Sequence, residues 1–242
     1  MTETNRQSEE KEERIIEIEI ERLRPFKEHP FQVKDDKEMF LLQESIEKYG
    51  ILNPLIVRPV PDGYYEIISG HRRKHAAEKL GYRKVPVIIR VLSEDDSILS
   101  MVDSNLHRER ISYSEKAFAY KMKYEALKRQ GKRSDLTSCQ VGKKLAAEEV
   151  SQNTEDSSRQ ILRYIHLTLL LPELLEMADD KKLPFNTAVE ISYLRNEEQQ
   201  VLLQYMSNHN MVPSMKQAKE LKQISNCLLY TSPSPRDAHE SR

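Results

Sequence analysis

The chain has no tryptophan, two cysteines (Cys139 and Cys227) and six glycines in 242 residues. Two cysteines without metal-ligand spacing exclude a disulfide framework and a zinc site. Scarce glycine argues against an all-β fold built on tight turns. No apolar run approaches the roughly 20 residues that cross a bilayer, and the opening MTETNRQSEEKEER has no apolar signal core. The expected address is the cytoplasm. No metal site is expected at His71, His75, His166 or His209, and no Ser/His/Asp or Cys/His arrangement can be assembled. Cys139 reads as a small, partly buried hydrophobe rather than a nucleophile.

Net charge is nearly absent as well: 38 Lys and Arg stand against 39 Asp and Glu. With 38 % hydrophobic and 32 % charged residues, the composition is that of a polar, helix-rich globular protein. The distribution says more than the total. Ser114 to Arg163 holds eleven basic and seven acidic residues, whereas Pro172 to Gln204 holds three basic and seven acidic. A basic segment beside an acidic one permits a polyanion partner on one face; a mixed-charge helical surface accounts for it equally.

Residues 1–13 read as a charged, disordered lead-in. In IIEIEIERL, Ile16, Ile18 and Ile20 alternate with Ile15, Glu17 and Glu19, the period of a half-buried strand. DDKEMFLLQESIEKYG predicts an amphipathic helix with Met39, Leu42, Ile46 and Tyr49 on one face and Gly50 as its stop. PLIVRPV and GYYEIIS follow as strands joined by a Pro-Asp-Gly turn. A strand ending at Ser69, Gly70, a helix to about Leu80 and the strand VPVIIRVL complete a β-α-β-β-α-β unit. After Ser93 the pattern is of short helices. A small α+β domain over 14–111 is therefore expected, followed by an all-helical domain over 112–224. The end, CLLYTSPSPRDAHESR, abandons helical periodicity. Residues 225–242 read as a non-native tail, with the native chain continuing further.

At Gly70–Arg73 a strand ends and a helix starts. The first amides of a helix lack internal partners and sit at the positive end of its dipole, so arginines there oppose the dipole unless an anion compensates. Arg72 and Arg73 either hold a phosphate or reach carboxylates elsewhere in the chain. Arg58 offers a second phosphate ligand or an ordinary strand surface. DSNLHRERIS offers Asp103, Asn105, His107, Arg108 and Arg110, which suit a magnesium–phosphate pair or a polar helix end.

In the helical half, SCQVGKKLAAEEV and DSSRQILRYIHL read as a helix-turn-helix, with Val141, Leu145 and Ala146 buried on the first helix and Ile161, Leu162 and Ile165 on the second. Asp156 or Ser157 caps the second helix. Ser158, Arg159, Gln160 and Arg163 then face outward where a recognition helix meets bases, and Lys143 and Lys144 are placed to clamp the backbone. The connection is longer than the usual three- to four-residue turn. Surface arginines on a helical hairpin fit the same residues.

The order YGILNPLIVRP, ISGHRRKHAAEKLGYRKVPVIIR, NLHRERIS, the helix-turn-helix and LPELLEMADDKKLPFNTAVEISYL resembles the ParB partition-protein family over Ile15 to Met206. The resemblance implies an α+β half that binds CTP with magnesium, and a helical half that binds a palindromic DNA site. It further implies a clamp closed by self-association of the N-terminal halves, and a ParA-type ATPase as partner. It carries nucleotide contacts onto Gly50, Pro54, Arg58, Gly70, Arg72, Arg73, Asn105 and Arg108, with Asn105 also the magnesium contact, and DNA contacts onto Lys143, Lys144, Ser158, Arg159, Gln160 and Arg163. Two positions depart from the family: His71 stands where it usually has Glu, and Ser104 where it has the Glu of the hydrolysis apparatus. The implied protein is a sequence-specific, nucleoid-associated DNA-binding protein for chromosome, plasmid or mobile-element partition, gated by CTP binding with weak or no turnover. The alternatives are a DNA-binding regulator or nucleoid-occlusion-like protein without a nucleotide switch, and a nucleotide hydrolase or small-molecule kinase on the same fold. The α+β half also resembles sulfiredoxin, but His71 occupies the place of that enzyme's cysteine.

Overall fold

The computed structural model of the protein describes residues 14–27, 29–106, 108, 111–132, 139–152 and 154–231, with the side chains of 131, 132, 139–145 and 228–231 outside the description. The chain divides into two compact units, Met1–Ser104 and Asn105–Arg242.

The first unit is built on a five-stranded sheet of order β1-β5-β3-β4-β2. Its strands are β1 (Ile15–Glu19), β2 (Leu23–Pro25), β3 (Leu55–Pro59), β4 (Tyr65–Ser69) and β5 (Lys84–Ile89). The single strand expected from Ile15 to Leu23 is in fact two. A 3₁₀ turn over Ile20–Arg22 breaks it, so that β1 lies antiparallel to β5 while β2 lies parallel to β4 at the opposite edge. Period two survives only as far as the turn requires: Ile18, Ile20 and Leu23 are buried, while Ile15 and Ile16 are both exposed.

Between β3 and β4, Asp62 (φ 66°) and Gly63 (φ 75°) both take the left-handed region, the mirror turn whose twist suits a hairpin. The Arg22 guanidinium donates to the Gly63 carbonyl at 2.6 and 2.9 Å. Helix α1 (Lys37–Tyr49) is capped by Asp36, whose carboxylate accepts from Met39 N at 2.8 Å, and it ends at Gly50 (φ 71°). Met39 and Ile46 pack with Ala76, and Leu42, Ile51 and Leu80 pack against that cluster. Tyr49 does not join that face and stays 59 % exposed. Three residues beyond Ile46, it lies about 60° round the helix, off the edge of the stripe. Helix α2 (His71–Lys79) adds Ala77 to the cluster of Leu55, Val57, Ile67, Val85 and Val87, all fully buried. Each large side chain there contributes about 1.5–3 kcal/mol relative to exposure. Helix α3 (Glu94–Leu106) runs through the unit boundary.

The second unit is helical: α4 (Tyr113–Lys132), α5 (Cys139–Gln152), α6 (Ser158–Leu167), α7 (Pro172–Asp179), α8 (Phe185–Ile191), α9 (Asn196–His209) and α10 (Met215–Thr231). Helix α4 packs against α5, α6 and α7, and α8 packs against α6, α7 and α10. The sequence placed Ile161, Leu162 and Ile165 on the buried face of α6; the structure buries Ile161, Tyr164 and Leu167, and leaves Leu162 42 % exposed. Tyr164 decides the rotation, because its ring packs against Phe185 (4.8 Å between centroids) and Tyr120 (5.7 Å). On α5, Ala146, Ala147 and Val150 are buried; the side chains of Val141 and Leu145 lie outside the described residues. Helix α10 continues past the expected start of the tail. Ser225 is buried, and its hydroxyl donates to Glu198 at 2.6 Å.

Candidate anion-binding turn and nucleic-acid interface

The turn at Gly70 is demanding. Its φ of 107° is left-handed, and a Cβ there would stand 2.8 Å from Leu55 Cγ. Helix α2 then begins with His71, Arg72 and Arg73 and has no acidic residue in its first turn. The two arginines are held differently. Arg72 forks between Asp36 and Glu38 at the start of α1, both at 3.0 Å. Arg73 folds back beneath the turn and donates to the carbonyls of Asn53 and Pro54, the latter at 2.8 Å. It has no carboxylate partner among the described residues, and burial lowers its pKa from the ordinary arginine value while leaving it a cation. Asn53 as a carbonyl ligand, and Asp36 and Glu38 as counter-charges, were not legible in the sequence because they lie roughly 20 and 35 positions away from their arginines.

Of the other residues expected around a nucleotide, Gly50 ends α1, and Pro54 meets Arg73 through its carbonyl. Arg58 is elsewhere. It pairs in register with Glu66, next to Val57 and Ile67, which face α2, so alternation along the strands puts Arg58 on the opposite face of the sheet. There its guanidinium bonds Glu66 at 2.5–2.6 Å and lies over Phe26. The second carboxylate oxygen of Glu66 accepts from Lys27 N at 3.0 Å. Asn105 and Arg108 belong to the second unit: Asn105 is buried in the last turn of α3, and its carbonyl accepts from Arg108 N at 3.2 Å. Ser104, at the family's Glu position, turns its hydroxyl back to the Met101 carbonyl at 2.9 Å. His71 and His75 share one face of α2, yet His71 is buried against the His29 ring and His75 pairs with Asp35 at 3.0 Å. Among the described residues no group of three His, Cys, Asp or Glu is placed to hold a metal ion. His107 and Arg110 lie outside the described residues.

In the helical unit, α5 and α6 are joined by residues 153–157 and braced by α4. Ser157 caps α6, accepting from Gln160 N at 3.3 Å, which frees Asp156 for another task. Arg159 is exposed, while Ser158, Gln160 and Arg163 are half-buried. Arg163 is held by Gln160 Oε1 (3.1 Å) and by Asn186 Oδ1 (2.5 Å) on α8, with its guanidinium over Phe185. Asn186 carried no signal in the sequence. Lys143 and Lys144 lie on α5, with their side chains outside the described residues. No helix among the described residues is long and apolar enough to cross a membrane.

Residues 4–106 match the ParB N-terminal domain family. Over 189 residues the chain is 31 % identical to a nucleoid occlusion protein of Bacillus thuringiensis (strain Al Hakam), and equally to one of Bacillus cereus (strain B4264). The match covers 78 % of this chain and 60 % of each relative, so the chain spans about 60 % of the length of these curated proteins. A solved pNOB8-like ParB N-domain shares the fold, with a TM-score of 0.54 and 17 % identity over 90 % of this chain and 96 % of that one. The chain is thus similar to ParB-type proteins, through its first unit and through these relatives.

Proposed function

We propose that the chain is a sequence-specific, nucleoid-associated DNA-binding protein of the ParB type, gated by CTP with magnesium at the Gly70 turn. The observation that carries the gate is Arg73: a part-buried cation with no carboxylate partner among the described residues, at a glycine-shaped helix N-terminus. A triphosphate there would be met by the free amides of α2 and by Arg73, and by Arg72 once it leaves Asp36 and Glu38. By the resemblance alone, Gly50, Pro54, Asn105 and Arg108 are further nucleotide contacts, with Asn105 also the contact for magnesium. Arg58 is assigned to the Glu66 pair and left out. When bound, CTP supplies the negative charge that the first turn of α2 lacks. Ser104 in place of a carboxylate makes turnover weak or absent.

DNA is met by Ser158, Arg159, Gln160 and Arg163 on α6, with Lys143 and Lys144 on the backbone. Self-association of the N-terminal domain and a ParA-type ATPase partner are part of this proposal, on the ParB resemblance alone. Calorimetric titration of the chain with CTP and magnesium tests the gate. Binding that is lost in Arg73→Ala, and absent with other nucleotides, supports it; no heat with the wild type overturns it. The alternative, a DNA-binding regulator without a nucleotide switch, is favoured by one observation, the existing pairing of Arg72 with two carboxylates.

A further inference from the structure

Asp156 stands two residues before α6 and is not needed as its cap, because Ser157 does that work. Its carboxylate instead reaches sideways to α4. Tyr120 donates its phenol proton to Asp156 Oδ2 at 2.5 Å, and Lys116, one turn earlier on the same helix, approaches the same oxygen at 2.6 Å. Tyr120 is 1 % exposed, and its ring packs against Tyr164 of α6. The Lys116 ammonium lies 5.0 Å from the Tyr164 ring and 5.8 Å from that of Tyr120. Thr154 folds the connection inward, its hydroxyl donating to the Val150 carbonyl at 3.2 Å. Burial, together with the adjacent carboxylate, pushes the Tyr120 phenol well above its ordinary pKa, so it remains a donor at any working pH.

These groups occupy one wall of a polar cavity of about 650 Å³ at the α5–α6 connection. A residue that only filled the core would not need two charge-assisted bonds converging on one oxygen, and such bonds are about twice as strong as neutral ones. They hold the connection and the first turn of α6 to α4 in one register. That first turn carries Ser158, Arg159 and Gln160. We infer that Tyr120 and Lys116 are positioning residues for DNA readout, acting through Asp156 to fix where the start of α6 presents its side chains.

The inference rests on α6 being the recognition helix, and the experiment separates the two. The wild-type chain selects duplexes from a random library. The selected duplex and a scrambled duplex are then titrated against the wild type, Tyr120→Phe and Lys116→Met, with thermal midpoints alongside. Tyr120→Phe removes only a hydroxyl from a packed ring, and Lys116→Met keeps the aliphatic stem. The expected result is a loss of about tenfold in preference for the selected duplex, with scrambled binding of Tyr120→Phe unchanged. Amide exchange should also accelerate at 157–163 and not in α9. Should one variant fail to fold, the other decides. Unchanged discrimination in a folded variant overturns the positioning role and leaves the recognition helix standing. A wild type that enriches no sequence overturns both.

Discussion

Two neighbouring arginines with the same chemistry are treated in opposite ways. Arg72 is satisfied by exposed carboxylates, an arrangement worth only about 0–1 kcal/mol in water. Arg73 is drawn under the turn by backbone carbonyls, and that position exists only because Gly70 lets the backbone pass close to Leu55. Gly70→Ala should therefore destabilise the first unit by about 1–3 kcal/mol through left-handed strain, and more through the contact with Leu55. Urea unfolding measures it, and Gly81→Ala, also at positive φ but with open space around its Cβ, is the control expected to show the smaller loss. Both arginines were marked by sequence, since their place at a glycine-led helix start is a local pattern. Their different fates were not, because partners from α1 and from the approach to β3 arrive only with the tertiary fold.

Among the elements, the helical unit depends on a fully buried Gln199 as much as on its apolar cores. Its Oε1 accepts from Leu171 N at 2.9 Å, and its Nε2 donates to the carbonyls of Leu169 and Leu194 at 3.1 and 3.0 Å. One α9 side chain thus closes the connections on either side of α7 and α8. Gln199→Leu should cost about 1–3 kcal/mol, since it strands the Leu194 carbonyl of a buried bond and two part-buried partners; chemical denaturation against Gln200→Leu, at an exposed neighbour, measures it. Helix α6 shows how element-level prediction fails. The helix and its outward arginine were legible from period and cap, but its rotation was set by Tyr164 stacking into Tyr120 and Phe185, residues far along the chain. The strand Ile15–Leu23 failed for a related reason: alternation is a property of a strand, and it does not report that the chain will leave one edge of the sheet for the other.

For the molecule as a whole, acid should weaken the fold in two stages. His166 is pushed below its ordinary value by burial and then by Lys222, so the folded state favours the neutral ring. Its contribution is complete above the unfolded value of 6.5 and declines as pH falls below it. Glu198 is held down to about 2, first by Arg195 and also by Ser225, so its stabilisation is present above 4.5 and is lost between there and about 2. Urea midpoints across this range should fall in both windows, with His166→Gln removing the upper step and Glu198→Gln the lower. DNA affinity should fall steeply with added salt, because each Lys or Arg contact to phosphate releases counterions. Arg163→Ala should cost about 1–3 kcal/mol on a selected duplex and much less on a random one. Fluorescence anisotropy at several salt concentrations checks both.

What the sequence determined alone was whatever depends on neighbours within a turn or a strand. That includes the α+β half ahead of the helical half, the glycine-led start of α2 and the capped start of α6. What only the tertiary structure decided was which charges meet. Arg58 was drawn to Glu66 on the far face of the sheet, Arg72 to α1, Arg73 to two carbonyls and Asp156 to α4. Spacing along a chain sets the direction of a side chain, whereas its partner is chosen by the packing of elements that are distant in sequence.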